Sequence, residues 1–216
     1  NPRSRQVRSE LSRPYELHRT VMSGFAPMKP DERVLYRLDL SRSDGIPRLL
    51  VQSRFPPDWS GLQAKDGYFL NIENTNPQVR AYDPQVSAGQ RLAFRLLAVP
   101  TRSSKEGVEP GKRGQRRAIG SEEEQLAWLE RKATRGGFRV LSAHVTSLGQ
   151  QELKVPNKEG QRTPKADASP HEVHYRAVRF DGELEVTAIQ LFRETLENGI
   201  GTAKGFGFGL LSIALV

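Results

Sequence analysis

The chain has 216 residues, of which 36% are hydrophobic, and it carries a net charge of +8 from 33 Lys and Arg against 25 Asp and Glu. This composition excludes an intrinsically disordered chain, and the absence of cysteine excludes disulfides, thiolate nucleophiles and Cys-ligated zinc. No apolar run approaches the roughly 20 residues of a membrane-spanning helix and no signal-peptide pattern opens the chain, so we expect a cytoplasmic protein with a polyanionic partner, nucleic acid above all.

The first predicted elements are a helix and a β-hairpin. Residues 14–25 predict the helix, because Leu17, Val21 and Phe25 recur every four residues after a proline that suits a first turn. The alternating stretches "RVLYRLDL" and "RLLVQSRF" flank "SDG" and predict a half-buried hairpin. Residues 56–88 predict irregular chain, and "RLAFRLLA" predicts a strand. Because the chain opens on "NPRSRQ" without methionine, we expect a first strand to precede it.

The second part of the chain repeats this order. Residues 99–120 have almost no large apolar side chain and predict a linker, after which Ser121 and Glu124 form a capping box for a helix that ends at Gly136. "FRVLSAHV" and "VHYRAVRF" predict strands on either side of a polar, basic stretch, and Asp181-Gly182 predicts a tight turn into "ELEV". "AIQLFRETLEN" predicts a third helix, and "LLSIALV" predicts a buried final strand.

Both parts therefore contain helix, strand, strand and a late strand. With one strand added at the start, each approximates the order βαββαβ, so the predicted fold class is α+β, with two tandem ferredoxin-like (RRM-like) domains and antiparallel sheets. The predicted boundaries are 1–98 for the N-terminal domain, 99–117 for a basic linker, and 118–216 for a C-terminal domain with a basic hairpin and a glycine-rich loop. The second helix of the first part is not visible in the sequence.

Tyr15 and His18 are the first candidates for chemistry. On a helical wheel His18 falls at the rim of the apolar face and Tyr15 beyond it, and residues three apart are neighbours on a helix surface. On spacing alone, a surface histidine beside a half-packed tyrosine is the more frequent explanation. The remaining histidines, His144, His171 and His174, lack the spacing of metal ligands, so no zinc site is predicted.

Two basic stretches, one in 99–117 and one in 154–165, are candidate phosphate-binding elements. Charge runs are usually solvated loops, but two of them in a chain of net +8 favour phosphate contact. We expect the second stretch to be a hairpin tip. The candidate phosphate-binding residues are Arg19, Arg102, Lys105, Lys112, Arg113, Arg116, Arg117, Lys154, Lys158, Arg162, Lys165 and Lys204.

A glycine-rich segment, "GIGTAKGFGFG", precedes the last strand. Its glycines are Gly199, Gly201, Gly205, Gly207 and Gly209. The segment lacks the Walker A pattern and runs from a helix into a strand, the reverse of a nucleotide-binding turn. A merely flexible connection would need fewer glycines, so we interpret it as a place where another chain, protein or polynucleotide, approaches the backbone closely.

Four segments together resemble the CasE family, the CRISPR repeat-processing endoribonucleases of the type I-E Cascade complex. They are "PYELHRT", "FRLLAVPTR", "EQLAWLERK" and "GIGTAKGFGFGLLSIAL", which occur in order over nearly the whole chain. The resemblance implies a tandem ferredoxin-like fold and an initial strand. It also implies cleavage at the 3′ base of a CRISPR repeat hairpin without a metal or other cofactor, which leaves a 2′,3′-cyclic phosphate and a 5′-hydroxyl.

The resemblance also implies roles and partners. His18 would be catalytic with Tyr15 assisting, and the protein would stay bound to mature crRNA as a Cascade subunit, next to the backbone subunit at the crRNA 3′ end. From the residues alone, His18 suits either proton transfer that 2′-OH attack requires, and Tyr15 suits a hydrogen-bond donor. The second proton could pass through Tyr15, a lysine or water.

We expect the basic stretch 154–165 to enter the deep major groove of A-form RNA, which compact side chains hardly reach.

The function has competing interpretations. The alternative to an endoribonuclease is a non-catalytic RNA-hairpin-binding cap of a ribonucleoprotein with the same fold. A DNA-binding regulator is less favoured, because no helix-turn-helix pattern is present.

Overall fold

The computed structural model describes residues 1–41, 43–70, 76–104, 115–155 and 171–216. Within them the chain mixes helices with antiparallel strands, which confirms the α+β class. The helices are α1 (Arg5–Leu11), α2 (Pro14–Ser23), α3 (Ser60–Gln63), α4 (Glu122–Arg135) and α5 (Ile189–Asn198). The strands are β1 (Leu35–Leu40), β2 (Pro47–Gln52), β3 (Arg91–Ala98), β4 (Thr101–Ser104), β5 (Gln115–Ala118), β6 (Phe138–Val155), β7 (His171–Val186) and β8 (Leu211–Leu215).

The N-terminal half, up to residue 90, is built on a hairpin covered by a helix. Strands β1 and β2 pair antiparallel from Leu35 opposite Gln52 to Leu40 opposite Pro47, as the alternating pattern predicts. The apolar face of α2 packs on this hairpin through Leu17 and Val21, which are buried with Tyr36 of β1. The predicted helix and hairpin are therefore both confirmed.

The C-terminal half, from residue 91, is a complete βαββαβ unit. Its four-stranded sheet has the order β6-β7-β3-β8, with α4 between β3 and β6 in the chain and α5 between β7 and β8. One sheet face and both helices enclose the main core, in which Trp128 stacks on Phe180 and Phe138 meets Phe192 edge to face. The predicted capping residue is confirmed, because the Ser121 hydroxyl accepts the Glu124 N–H at 3.3 Å.

Strand β3 does not lie where the sequence placed it. It pairs with β7 and β8 at the centre of the second sheet, so the strand assigned to the domain 1–98 belongs to the C-terminal unit. The stretch 99–117 is consequently a crossover between β3 and α4, and its described ends pair as the β4–β5 hairpin. The linker interpretation was wrong because a polar insertion inside a domain has the same composition as a linker. We propose that the boundary lies before Arg91.

The turn predicted at Asp181-Gly182 is also absent, since β7 passes through both residues. Gly182 faces Ala143 of β6, next to an irregularity in register between Val140 and Ser142. A β-carbon on Gly182 would collide with the carbonyl oxygen of Ser142. This glycine allows close backbone approach at a bulge and does not reverse the chain.

Two further features concern the ends of strands. The β6–β7 hairpin is paired as far as Val155 opposite His171. Of the predicted basic tip at 154–165, residues 156–165 lie outside the described residues. Strand β8 is an edge strand whose burial ends early: Leu211 is buried, whereas Leu215 is 80% exposed. The expectation of a buried final strand was therefore wrong for its last residues. Among the helices described here, none has the length and apolarity to cross a membrane.

Candidate active site at the junction of the two halves

Helix α2 carries Tyr15 and His18 to the surface that faces the C-terminal half. The helix begins at Pro14, whose missing N–H is not needed in a first turn. The rings of Tyr15 and His18 lie 6.4 Å apart between centroids, and both residues are half-buried. The adjacency expected from their spacing is confirmed.

The glycine-rich segment of the C-terminal half closes over His18. A short 3₁₀ turn at Lys204–Phe206 brings the Phe206 ring to 5.8 Å from the imidazole, between centroids. Gly205 lies so close that a β-carbon there would be 3.5 Å from His18 Cε1. The imidazole is thus enclosed on one side by a loop that is distant in sequence.

This enclosure sets the protonation of His18. Its Nδ1 atom is buried and makes no hydrogen bond of normal geometry with any described residue. Burial lowers the pKa of His18 below its ordinary value of 6.5, and the Gly205 carbonyl beside the ring opposes this to a smaller extent. The imidazole is therefore neutral at pH 7. Since Nδ1 is buried against the loop, we expect a substrate to meet the other ring nitrogen, Nε2.

The loop is held by hydrogen bonds from both halves. The Tyr36 hydroxyl of β1 donates to the Gly205 carbonyl at 2.7 Å, and the Gly209 N–H donates to the Leu97 carbonyl of β3 at 2.7 Å. Gly199 and Gly209 have positive φ, and a β-carbon on either would lie 2.7 Å from a backbone oxygen of this same loop. The sequence predicts that another chain approaches the backbone at these glycines. At Gly199 and Gly209 the segment that approaches is the loop's own backbone.

A second bond between the halves is charged and buried. The Arg37 guanidinium of β1 pairs with Asp39 at 2.9 Å and donates to the Ser212 hydroxyl of β8 at 2.7 Å. Only 6% of the Arg37 side chain is exposed. Alternation along β1 predicts a solvent-facing arginine here, so sequence reasoning missed this contact; it depends on β8, which is distant in the chain.

Tyr36 was also missed, because in an alternating strand it looks like an ordinary core residue. Replacing it with phenylalanine removes one buried hydrogen bond and should destabilise the fold by about 1–2 kcal/mol. Without this bond to the Gly205 carbonyl, the loop should move away from the imidazole. The pKa of His18 should then rise towards 6.5, because burial is the larger cause of its present lowering. NMR titration of the imidazole Cε1 proton measures this change.

The matched control is Tyr82→Phe, since Tyr82 is 55% exposed. We expect it to leave both stability and the His18 titration unchanged. An unaltered His18 pKa in Tyr36→Phe would show that the hydroxyl does not hold the loop.

The phosphate-binding candidates whose side chains are described lie in three places. Arg19 is exposed on α2 and pairs with Glu16 at 3.4 Å. Arg102 and Arg117 face each other across the β4–β5 hairpin, and Arg102 also binds Glu124 at 2.8 Å. The Lys204 ammonium donates to the Asn198 carbonyl at 2.7 Å.

The environment of Lys204 is electropositive. Burial, and then the nearby charges of Arg33 and Lys132, lower the pKa of Lys204. Sequence reasoning missed both of these neighbours, because neither lies in a basic run. Arg116 lies on β5 and Lys154 on β6, and for these two residues only the backbone is described. The other candidates, Lys105, Lys112, Arg113, Lys158, Arg162 and Lys165, lie outside the described residues.

The fold and site define a class: a tandem ferredoxin-like protein in which a glycine-rich loop of the second unit closes over a helix histidine of the first. Residues 1–214 match the family described as CRISPR associated protein. The CRISPR-associated endoribonuclease Cse3 of Thermus thermophilus is 36% identical over 221 residues, which cover 99% of this chain and 96% of that protein. The chain therefore belongs to this family of CRISPR-associated proteins, and the resemblance to CasE is confirmed.

Two solved structures are similar over the same length. The CRISPR endoribonuclease Cse3 bound to a 19-nucleotide RNA matches with a TM-score of 0.78 and 34% identity, covering 99% of this chain and 96% of that one. A chain of a CRISPR RNA-guided surveillance complex, captured before nicking, matches with a TM-score of 0.66 and 25% identity, covering 100% of this chain and 96% of that one. The fold thus occurs both with RNA bound and within a larger assembly.

Proposed function

We propose that this protein is an endoribonuclease that binds the hairpin of CRISPR repeat RNA and cuts precursor CRISPR RNA at the 3′ base of the stem. The observation that carries this proposal is the half-buried His18 beside Tyr15, with Nδ1 against the glycine-rich loop. Similarity to an RNA-bound endoribonuclease supports the substrate class.

The geometry favours His18 as the general base. A carbonyl beside Nδ1 favours the tautomer with its proton on that nitrogen, which leaves the Nε2 lone pair free to accept the proton of the ribose 2′-OH. The 2′-oxygen then attacks the adjacent phosphorus and the bond to the 5′-oxygen breaks. The leaving 5′-oxygen takes a proton from water, which gives a 2′,3′-cyclic phosphate and a 5′-hydroxyl. Tyr15 donates a hydrogen bond to the phosphate, where negative charge develops. The nucleophile comes from the substrate, so this chemistry requires no metal or cofactor.

The basic side chains hold the RNA backbone in this proposal. Arg19 lies one residue from His18, and Arg102 and Arg117 form a second cationic patch at the β4–β5 hairpin. After Ser147, strand β6 pairs with β7 where β7 no longer pairs with β3, so residues 148–155 extend about 25 Å past β3 and carry the basic stretch 154–165 towards an RNA groove.

After cleavage the protein remains on the mature crRNA as a cytoplasmic subunit of Cascade, next to its backbone subunit. Similarity to a chain of an RNA-guided surveillance complex supports this assembly.

The test is to incubate the purified protein with an end-labelled hairpin from the host's own CRISPR repeat in excess EDTA and to identify the product ends. We expect one cut at the stem base with a cyclic phosphate. Tight binding without a cut would make the protein a non-catalytic cap, and preferential binding of duplex DNA would point to a regulator.

The pH dependence of cleavage follows from the role of His18. A general base is active when deprotonated, and burial lowers the pKa of His18. The single-turnover rate should therefore fall as the pH drops through a midpoint below 6.5 and should be level from pH 7 to 8, within the range where imidazoles titrate. Measurement of the rate between pH 5 and 9 checks this profile. A rate that declines above pH 7 would instead assign His18 the role of the acid.

A further inference from the structure

Side chains of the β1–β2 hairpin donate hydrogen bonds to the second half before, within and after the glycine-rich loop. Before the loop, Gln52 donates to a carbonyl in the last turn of α5 at 2.7 Å. Within the loop, Tyr36 donates to Gly205. After the loop, Arg37 donates to the Ser212 hydroxyl of β8. The position of the whole loop is therefore set by one hairpin of the first half.

The same hairpin supports the helix that carries His18. Leu17 and Val21 of α2 are buried together with Tyr36 of β1. The imidazole and the loop that encloses it thus share this hairpin as their support. A displacement of the loop from the hairpin would change the distance between Phe206 and His18, whose ring centroids lie 5.8 Å apart.

Two neighbouring residues of β1 hold the second half in different directions. Successive side chains of a strand point to opposite faces, so the bonds of Tyr36 and Arg37 leave β1 on opposite sides. One bond alone would allow the loop to turn about its point of attachment. The two bonds together fix both the position and the orientation of the segment from Gly205 to Ser212.

The guanidinium of Arg37 is a donor with a fixed direction. Its Nε and Nη2 atoms lie 2.9 Å from the Asp39 carboxylate, and Nη1 donates to Ser212 at 2.7 Å. Because the guanidinium is planar, the carboxylate that holds one of its edges also aims the remaining N–H groups. Asp39 therefore directs Arg37 towards β8.

An exposed ion pair between the halves shows what burial adds. Arg54 and Glu197 lie 3.2 Å apart, with 43% and 60% of their side chains exposed, whereas only 6% of the Arg37 side chain is exposed. Exposed pairs are screened by water and hold no single geometry firmly. Burial of an arginine costs desolvation free energy, so we interpret direction, more than attraction, as the contribution of Arg37.

Ser212 connects this bond to the centre of the second sheet. In the register of the sheet it lies opposite Arg95 of β3, whose guanidinium pairs with Asp181 of β7. Strands β7 and β3 are the two inner strands of that sheet. Arg37 therefore links the hairpin that supports His18 to the middle of the second half.

We propose that Arg37 is a positioning residue for cleavage: through Ser212 it holds the glycine-rich loop against the imidazole of His18 in the orientation that proton transfer requires. It acts through the loop and touches neither the RNA nor the reacting atoms. The proposal rests on the endoribonuclease function and adds to it a residue outside the helix that carries Tyr15 and His18.

The first experiment removes the acceptor of this bond. Replacement of Arg37 itself would leave the Asp39 carboxylate without its partner and could prevent folding, so the variant is Ser212→Ala. Its single-turnover rate of hairpin cleavage should be about tenfold lower, since a misplacement of about 1 Å can cost ~10²-fold in rate. The affinity for the hairpin should be nearly unchanged, because the candidate phosphate contacts are made by other side chains.

Two further variants separate positioning from a general loss of stability. Ser121→Ala also removes a serine hydroxyl that accepts a hydrogen bond, but this bond lies within the second half, at the start of α4. It should lower stability and leave the cleavage rate unchanged, whereas Ser212→Thr keeps the hydroxyl and should cut like the wild type. A wild-type rate in Ser212→Ala would overturn the proposal, as would equal losses of rate in Ser212→Ala and Ser121→Ala.

A measurement on the free protein makes the inference independent of cleavage. The loop buries the imidazole, and burial lowers the pKa of His18. NMR titration of the Cε1 proton should give a His18 pKa nearer 6.5 in Ser212→Ala and an unchanged value in Ser121→Ala. An unchanged titration in Ser212→Ala would overturn the proposal even if that variant cuts slowly. If the wild-type protein does not cut the natural hairpin, the proposed function fails, and the titration still decides whether Arg37 holds the loop.

Discussion

Replacing His18 with alanine is expected to lower the single-turnover rate of repeat cleavage by about 10²–10⁴-fold, the usual contribution of a positioned acid or base. The affinity for the hairpin should be nearly unchanged, because His18 is one half-buried neutral ring and the candidate phosphate contacts are made by other side chains. Rapid-quench assays and binding titrations on the same RNA measure the two quantities separately.

The matched control is His144→Ala, since His144 is an exposed histidine on β6. This variant should cut at the wild-type rate. If His18→Ala also cuts normally, the proposed role of His18 is wrong. If the wild-type protein binds the hairpin tightly but neither form cuts, the protein is the RNA-binding cap that the sequence leaves as the alternative.

The largest loss of stability is expected from Gly182→Ala. The β-carbon would collide with the Ser142 carbonyl oxygen, a backbone atom that cannot rotate away, so one strand of the main sheet would have to shift. We expect a cost of about 3 kcal/mol or more, at the upper end of overpacking effects. Urea denaturation followed by circular dichroism measures this change.

Gly61→Ala provides the comparison, because Gly61 lies in α3, has no positive φ and has open space where the β-carbon would go. Alanine favours a helix over glycine, so this variant should be as stable as the wild type or slightly more so. Equal stability of the two variants would mean that the β6–β7 bulge adapts at little cost.

Local signals in the sequence predict those parts of the fold that depend on neighbouring residues. The spacing of four residues between Leu17 and Val21 predicts α2. The alternation in residues 34–40 predicts β1, and the Ser121 cap predicts the start of α4. In each case the determining contacts lie within a few residues along the chain.

Predictions from the sequence fail where pairing with a strand distant in the chain determines the structure. β3 has the same alternation whether it completes the first half or forms the centre of the second sheet, and only its pairing with β7 and β8 settles the matter. Asp181-Gly182 has the composition of a tight turn, yet the bulge in β6 requires a glycine within a continuous strand. Composition does not distinguish these alternatives.

The sequence likewise predicts one part of the candidate site and misses another. The neighbourhood of Tyr15 and His18 follows from helical spacing, but the burial of Nδ1 depends on Phe206 and Gly205 at the other end of the chain. The bond from Tyr36 to Gly205 spans 169 residues and leaves no local pattern. The proton chemistry of the histidine therefore follows from tertiary structure and not from the motif that contains it.

This long-range closure also sets when the protein becomes active. During synthesis α2 leaves the ribosome well before the loop that encloses His18, which begins at residue 199. A nascent or truncated chain would carry the histidine and tyrosine without the surface that desolvates and orients them. Such a chain would meet repeat RNA without cutting it, so the order of synthesis itself restricts cleavage to chains in which both halves have been made.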